Sequence, residues 1–334
     1  MTRRIRQRHD SVDAHLYLLV TMIFFGSAFT SSKVVVSELP HEVAAALRFG
    51  GGTLVLLVLL GVTRGNSRSA PAMSWGRFLR AGAVGLLGVL TYNVLLFRGL
   101  SLAPSIDGSI IVPVLSPVLT TLVLLVFSRE TASMLRFAGL ALGAGGAVVF
   151  FLGASGGTSP LDGTRLRGDL VFLLGAACWA SYSIVSKKVL VGLEPLRATT
   201  SGMLVGSLGL LVVALPAMPE AAWAEVSAST WVNLCYLALG PTAVAYLCYY
   251  RALRTVSPST STVMMFTVPV FGTTCSTLFL DETFTTPQLV GALIMLVGAL
   301  LAVTQDWFRA SPERDTTTVS RPSSSTEHAE SEPG

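Results

Sequence analysis

The sequence predicts an all-α membrane protein of ten transmembrane helices, arranged as two inverted five-helix repeats. Three observations carry this. The 334-residue chain is 51% hydrophobic and only 13% charged, with a mean hydropathy of +0.65, whereas soluble domains carry about 25% charged residues. Apolar runs long enough to span a bilayer recur along its length. One helix-boundary phrase is written twice, 152 residues apart.

A spanning helix needs about 20 mainly apolar residues. Ten such runs fit, at roughly 14–36, 42–62, 79–98, 105–127, 133–153, 169–189, 197–216, 229–250, 258–280 and 287–305. Short breaks marked by Pro, Gly or charge separate them. The longest break lies near the chain centre. The organisation that follows is a basic N-terminus (1–13), a first unit (14–153), an external linker (154–168), a second unit (169–305) and a tail (306–334). The tail is rich in Ser, Thr, Glu and Pro and is predicted to be disordered, because it has too little apolar surface to bury. The first run follows "MTRRIRQRHD" but is too long for a signal-peptide core, so it reads as a retained span.

Lys and Arg set the orientation. With the N-terminus inside, 18 of the 23 Lys and Arg fall in inside segments. This predicts a multi-pass membrane protein with both termini cytoplasmic. The net charge of +4 is then a topology signal and not a nucleic-acid footprint.

The repeated phrase pairs Glu130-Thr131 with Glu282-Thr283, Gly139 with Gly291, Gly146 with Gly298 and Pro117 with Pro269, all at an offset of 152. "FFGSAFTSSK" at 24–33 matches "CWASYSIVSK" at 178–187, and "YNVLLFRGL" at 92–100 matches "AYLCYYRAL" at 245–253. Five is odd, so the second unit enters the bilayer upside down. Such inverted repeats are an architecture of secondary transporters.

These residues also carry a resemblance. Phe25-Gly26-Ser27 and Trp179-Ala180-Ser181, Arg48-Phe49, and the Pro…Glu…Gly series (Pro117, Glu130, Gly139; Pro269, Glu282, Gly291) resemble the drug/metabolite transporter superfamily, EamA-like branch, over about residues 14–305. The resemblance implies a bacterial inner-membrane carrier, often an exporter of amino acids or other small metabolites. It does not identify the solute.

A carrier needs a polar, wettable patch halfway across the membrane. The residues that would supply it are Phe25, Ser27 and Thr30 in the first run, Tyr92 and Asn93 in the third, Trp179 and Ser183 in the sixth, Tyr246 in the eighth and Thr262 in the ninth. Aromatic walls with hydroxyls suit a small amphipathic solute. The same hydroxyls also join membrane helices, and Tyr and Trp also anchor at interfaces. Arg48 can hold a carboxylate, pair with Glu38 or Glu42, or snorkel to the surface. Asp107 opens the fourth run, where a carboxylate suits the helix dipole; a proton-coupling or amine-binding acid is the other reading. Glu130 and Glu282 read as caps of the helices that follow them. Pro117 and Pro269 read as mid-helix kinks and candidate hinges of alternating access.

Other classes are weaker. The span centres carry no His, Asp or Glu for an intramembrane enzyme, and a non-transporting membrane chaperone or receptor subunit needs no inverted repeat. A GxxxxGK[ST] loop for ATP is missing, so a gradient, with protons as one candidate coupling ion, or the solute itself supplies the energy. No cofactor or metal is expected. The four cysteines lie in apolar runs with no CxxC pair and read as small buried hydrophobes.

Overall fold

The computed structural model describes residues 2–65, 74–128, 134–155, 163–193, 195–253 and 264–309. All regular structure among them is helical. The helices are α1 (Thr2–Val36), α2 (His41–Gly65), α3 (Trp75–Leu102), α4 (Ser105–Ser128), α5 (Met134–Ser155), α6 (Gly163–Val189), α7 (Pro195–Ala214), α8 (228–253), α9 (Val268–Leu280) and α10 (Thr286–Arg309). Seven of them are long and apolar enough to cross a membrane, and the apolar parts of α5, α9 and α10 are shorter. Large side chains such as Val62, Leu152 and Val232 stand outward in bands that fit acyl chains as their solvent.

Two helices are not continuous α-helix. A π-helical segment, Leu86–Thr91, interrupts α3, and another, Ala238–Val244, interrupts α8. The two stand at equivalent places in the two halves.

Packing repeats as the sequence does. α1 lies against α8 and α9, and α6 lies against α3 and α4. α2 packs on α7, α4 on α9 and α5 on α10. These principal pairings are unchanged when α1–α5 are exchanged with α6–α10. The closest pair is α5 with α10. A Cβ added at Gly139 would meet the Ala302 backbone nitrogen at 2.5 Å, one at Gly146 the Met295 nitrogen at 2.5 Å, and one at Gly153 the Gln288 nitrogen at 2.6 Å. Ascending positions in α5 thus meet descending positions in α10, and the two helices run antiparallel. The seven-residue glycine spacing returns to one face every two turns, which lets two backbones touch as small residues do in membranes.

Several expectations need correction. The central linker is shorter than predicted, because α6 begins at Gly163. Pro117 lies inside α4 together with Pro113. Pro269 is not mid-helix. It sits in the first turn of α9, after a turn at Phe266–Thr267, where its missing N–H removes no helical bond. Glu282 does not cap α10. Thr285 does: its hydroxyl accepts from Gln288 N at 3.4 Å and its N–H donates to Gln288 Oε1 at 3.0 Å, a reciprocal capping box. Cys235 is exposed and not a buried hydrophobe. Thr262 and Glu130 lie outside the described residues.

Candidate functional site

Glycines in α3 and α7 let those helices approach until a Cβ at Gly85 would overlap the Gly202 backbone. Beside this crossing is a small cleft. Its walls include Gly88 and Val89 of α3, Trp179 and Tyr182 of α6, Gly202 and Met203 of α7, and Tyr246 of α8. Leu190, just beyond the end of α6, also lines it.

The aromatic residues stand in two groups beside this space. The Tyr92 and Trp179 ring centroids are 4.9 Å apart, Trp179 and Tyr182 are 5.2 Å apart, and Phe25 meets Tyr246 edge-on at 5.8 Å. Gly88 lies directly on the Tyr182 ring, so that ring reaches the α3 backbone only because Cβ is absent. Phe25, Tyr92, Trp179 and Tyr246 are therefore brought together.

Arg48 faces the same group. It is 8% exposed, so it does not snorkel. Glu38 and Glu42 are both taken elsewhere, Glu38 by Ser227 and Glu42 by His41. Nη1 of Arg48 donates to Ser32 Oγ at 3.1 Å, and its Nε is buried with no hydrogen-bond partner among the described residues. Its guanidinium lies over the Phe49 ring at 4.9 Å and near the Phe97 ring at 5.9 Å, and it is close enough to Tyr92, Tyr236 and Tyr246 to act on them electrostatically. No carboxylate pairs with it among the described residues. A buried cation without an anion is costly, and a neighbouring anionic group would offset that cost.

Other candidates are placed differently. Ser27 shares a 2.6 Å hydrogen bond with the Tyr236 hydroxyl. Tyr236 is a residue the sequence reading missed; it also stands beside Phe24, with centroids 5.9 Å apart. Thr30 joins Ser276 at 3.1 Å, a bond between α1 and α9. Asn93 is buried and donates to Val89 O at 2.8 Å, within its own helix. Ser183, one turn beyond Trp179, is half-buried and is not part of the cleft wall.

Away from the cleft, polar contacts close the bundle where α1, α3 and α9 end and α4, α6 and α10 begin. Glu282 accepts from Ser105 N (2.9 Å), Ile106 N (2.7 Å) and the Ser105 hydroxyl (2.9 Å). It therefore caps α4 from across the bundle. Lys33 Nζ donates to the Leu100 and Ala103 carbonyls at 2.6 and 2.8 Å, at the end of α3. Asp107 is not a simple cap. It receives both Nε and Nη2 of Arg165, at 2.8 and 2.9 Å, and Gln288 Nε2 at 3.2 Å. Arg165 was read as a loop cation; an Arg four residues before an Asp, at 165 and 169, was the available signal that it stands on a helix face. At the same end, the Ser227 N–H and hydroxyl hold the Glu38 carboxyl below the usual carboxylate range.

The EamA-like transporter family matches this chain twice, over residues 13–152 and 166–304. The chain belongs to the EamA-like transporter family. Its two matched segments are the two halves seen in the packing, and it is a multi-pass membrane transporter. It is 24% identical to the uncharacterized transporter YyaM of Bacillus subtilis, over 87% of this chain and 93% of that one. It is 26% identical to a probable terminal-alkyne amino-acid exporter of Streptantibioticus cattleyicolor, over 85% and 91%. A WAT1-related chloroplastic protein of Arabidopsis thaliana is 26% identical over 85% of this chain and 68% of its own length. A crystal structure at 20% identity superposes with a TM-score of 0.61 and covers 90% of this EamA-like chain and 98% of its own, which speaks to the fold alone.

Proposed function

We propose that the protein is a secondary active transporter that moves a small, amphipathic, amino-acid-like solute by alternating access, in the direction of export. The observation that carries this is Arg48: a buried guanidinium with no carboxylate partner among the described residues, ringed by aromatic side chains. A solute carboxylate would satisfy it, and Trp179, Tyr92, Phe25 and Tyr246 would take the apolar remainder. A nucleotide or polyanion would call for more buried cations than one. The exporter name of the Streptantibioticus relative agrees with the solute class.

Ten spans as two inverted halves are supported by the exchangeable pairings and by the antiparallel run of α5 against its counterpart α10. The balance of Lys and Arg supports cytoplasmic termini. The cleft would then open to the cytoplasm and the polar closure would face outside. Pro117 within α4 and the turn before Pro269 are the proposed hinges.

The test is transport in proteoliposomes by the full chain, with a panel of labelled amino acids and dicarboxylates, with and without a pH gradient. An apolar amino acid should exchange, and the Arg48→Ala variant should not support it. Movement of dicarboxylates or nucleotides in preference to every amino acid would sink this reading. Cysteine placed at Gly157 in a cysteine-free background should react with an impermeant thiol reagent from outside cells; labelling only after permeabilisation would reverse the topology.

A further inference from the structure

The closed end holds a carboxyl group that the transport site does not use. Asp169 of α6 is 0% exposed, and both of its carboxylate oxygens lack a hydrogen-bond donor among the described residues. Arg165, one turn before Asp169 on the same helix, binds Asp107 of α4, also 0% exposed, so the two carboxyls belong to one buried cluster around that guanidinium. The charged groups around them are few. Arg165, on the same helix as Asp169, gives both of its bonds to Asp107. Lys33 of α1 is held by two carbonyls and feels Glu282 and Asp107. Glu282, between α9 and α10, is occupied by the first turn of α4. Gln288 of α10 gives one bond to Asp107. Three acids thus face two cations, and the acid left without a donor is Asp169.

Two bare carboxylates in one buried cluster are unfavourable twice over, through lost hydration and through repulsion. One shared proton removes both penalties. It turns two acceptors into a donor and an acceptor, and it brings the cluster to neutrality against Arg165 and Lys33. We propose that Asp107 and Asp169 together bind one proton while this end of the bundle is closed, and that opening this end releases it. The link to opening is geometric. Asp107 is tied to α10 through Gln288, and its helix start is tied to the α9–α10 turn through Glu282. Parting α4 and α6 from α9 and α10 admits water to the pair, and a hydrated carboxylate no longer needs the proton. The closed state therefore carries one proton more than the open one, and acid on that side holds the gate shut.

The role as a gate rests on the transporter reading, but the proton itself can be observed without any solute. The measurement is infrared difference spectroscopy of the full chain in lipid nanodiscs near neutral pH. The wild type should show the carbonyl band of one protonated carboxylic acid. Asp169→Asn and Asp107→Asn should each lose it, and Asp169→Glu should keep it at a shifted position. Arg48→Ala should keep it unchanged, which separates this site from the solute site. A wild type without the band, or a band that survives both Asn variants, overturns the proposal. A band that appears only when choline replaces sodium overturns it in favour of a metal cation. In proteoliposomes, Asp169→Asn should lose the dependence of exchange on the pH facing this end; retained dependence removes the gate while leaving the solute reading intact.

Discussion

The α5–α10 pair and the α3–α6–α7 cleft both depend on glycine, but their glycines face different things. In α5 and α10, Gly139, Gly146, Gly291 and Gly298 face backbone. A backbone cannot rotate aside, so that contact has one register. At the cleft, Gly88 faces the Tyr182 ring, and a ring has other rotamers. Gly85 against Gly202 belongs to the first kind, so the cleft has one fixed wall and one adjustable one. Bilayer-spanning pairs gain little from hydrophobicity and rely on close packing. The difference therefore separates a scaffold from a moving part: α5 and α10 should travel as one body, while α6 should be free to shift its aromatic residues against α3.

The largest expected effect lies in the scaffold. Gly146→Val should cost about 1–3 kcal/mol or more by overpacking, read as a lower midpoint of unfolding in mixed detergent, with solute affinity in the surviving folded protein near that of wild type. Loss of affinity without loss of stability would mean that the two regions are not separate. Next comes Arg48→Ala. Losing a charge-assisted hydrogen bond, worth about 1.5–3 kcal/mol, should weaken binding about 10- to 100-fold, and Arg48→Lys should restore part of it. Equal affinities for wild type and Arg48→Ala in a direct binding assay would leave the guanidinium as a structural group held by Ser32. Trp179→Ala should weaken binding about two- to tenfold, because one aromatic contact is worth about 0.5–1.5 kcal/mol. A larger drop than that of Arg48→Ala would invert the assignment of anchor and wall.

The smallest effect concerns Glu38. Its folded-state carboxyl lies below the ordinary range because Ser227 donates to it twice. A depressed acid stabilises the fold above its unfolded value, about 4.3, and that contribution fades as pH falls through the folded value. Hydrogen-exchange protection at the start of α8, taken relative to the intrinsic exchange rate at each pH, should therefore fall on acidification in the wild type and be low at every pH in Glu38→Gln. Protection that ignores pH in the wild type would show that the contact does not hold α8.

Most of the helices were legible because membrane spans are written in composition, and the glycines of the α5–α10 contact stood out because they recur at one offset, although the contact itself was not read from them. The aromatic residues were legible for the same reason: Phe25 and Trp179 occupy matching places in matching helices. The polar closure was not. Glu282 caps a helix that starts 177 residues earlier, and local reading assigns a carboxylate to the helix beside it. Asp107 looked like a first-turn acid, and its partner Arg165 looked like a loop cation, since polar residues hid the first turn of α6. Snorkelling stayed open for Arg48 because nothing in its own helix tells that aromatic residues of α3 and α8 stand near it.

The two π-helical segments have a consequence for these aromatic residues. Tyr92 follows directly after Leu86–Thr91, and Tyr246 stands two positions beyond Ala238–Val244. A π turn holds one residue more than an α turn, so each of these helices carries a spare residue just ahead of a tyrosine. Were that residue absorbed or deleted, everything beyond it would rotate by about 100° around the helix axis. Tyr92 would swing off Trp179 and Tyr246 off Phe25, in matching fashion in the two halves. The facing of the cavity is thus set by a count of residues, and each half keeps that count independently of its contacts.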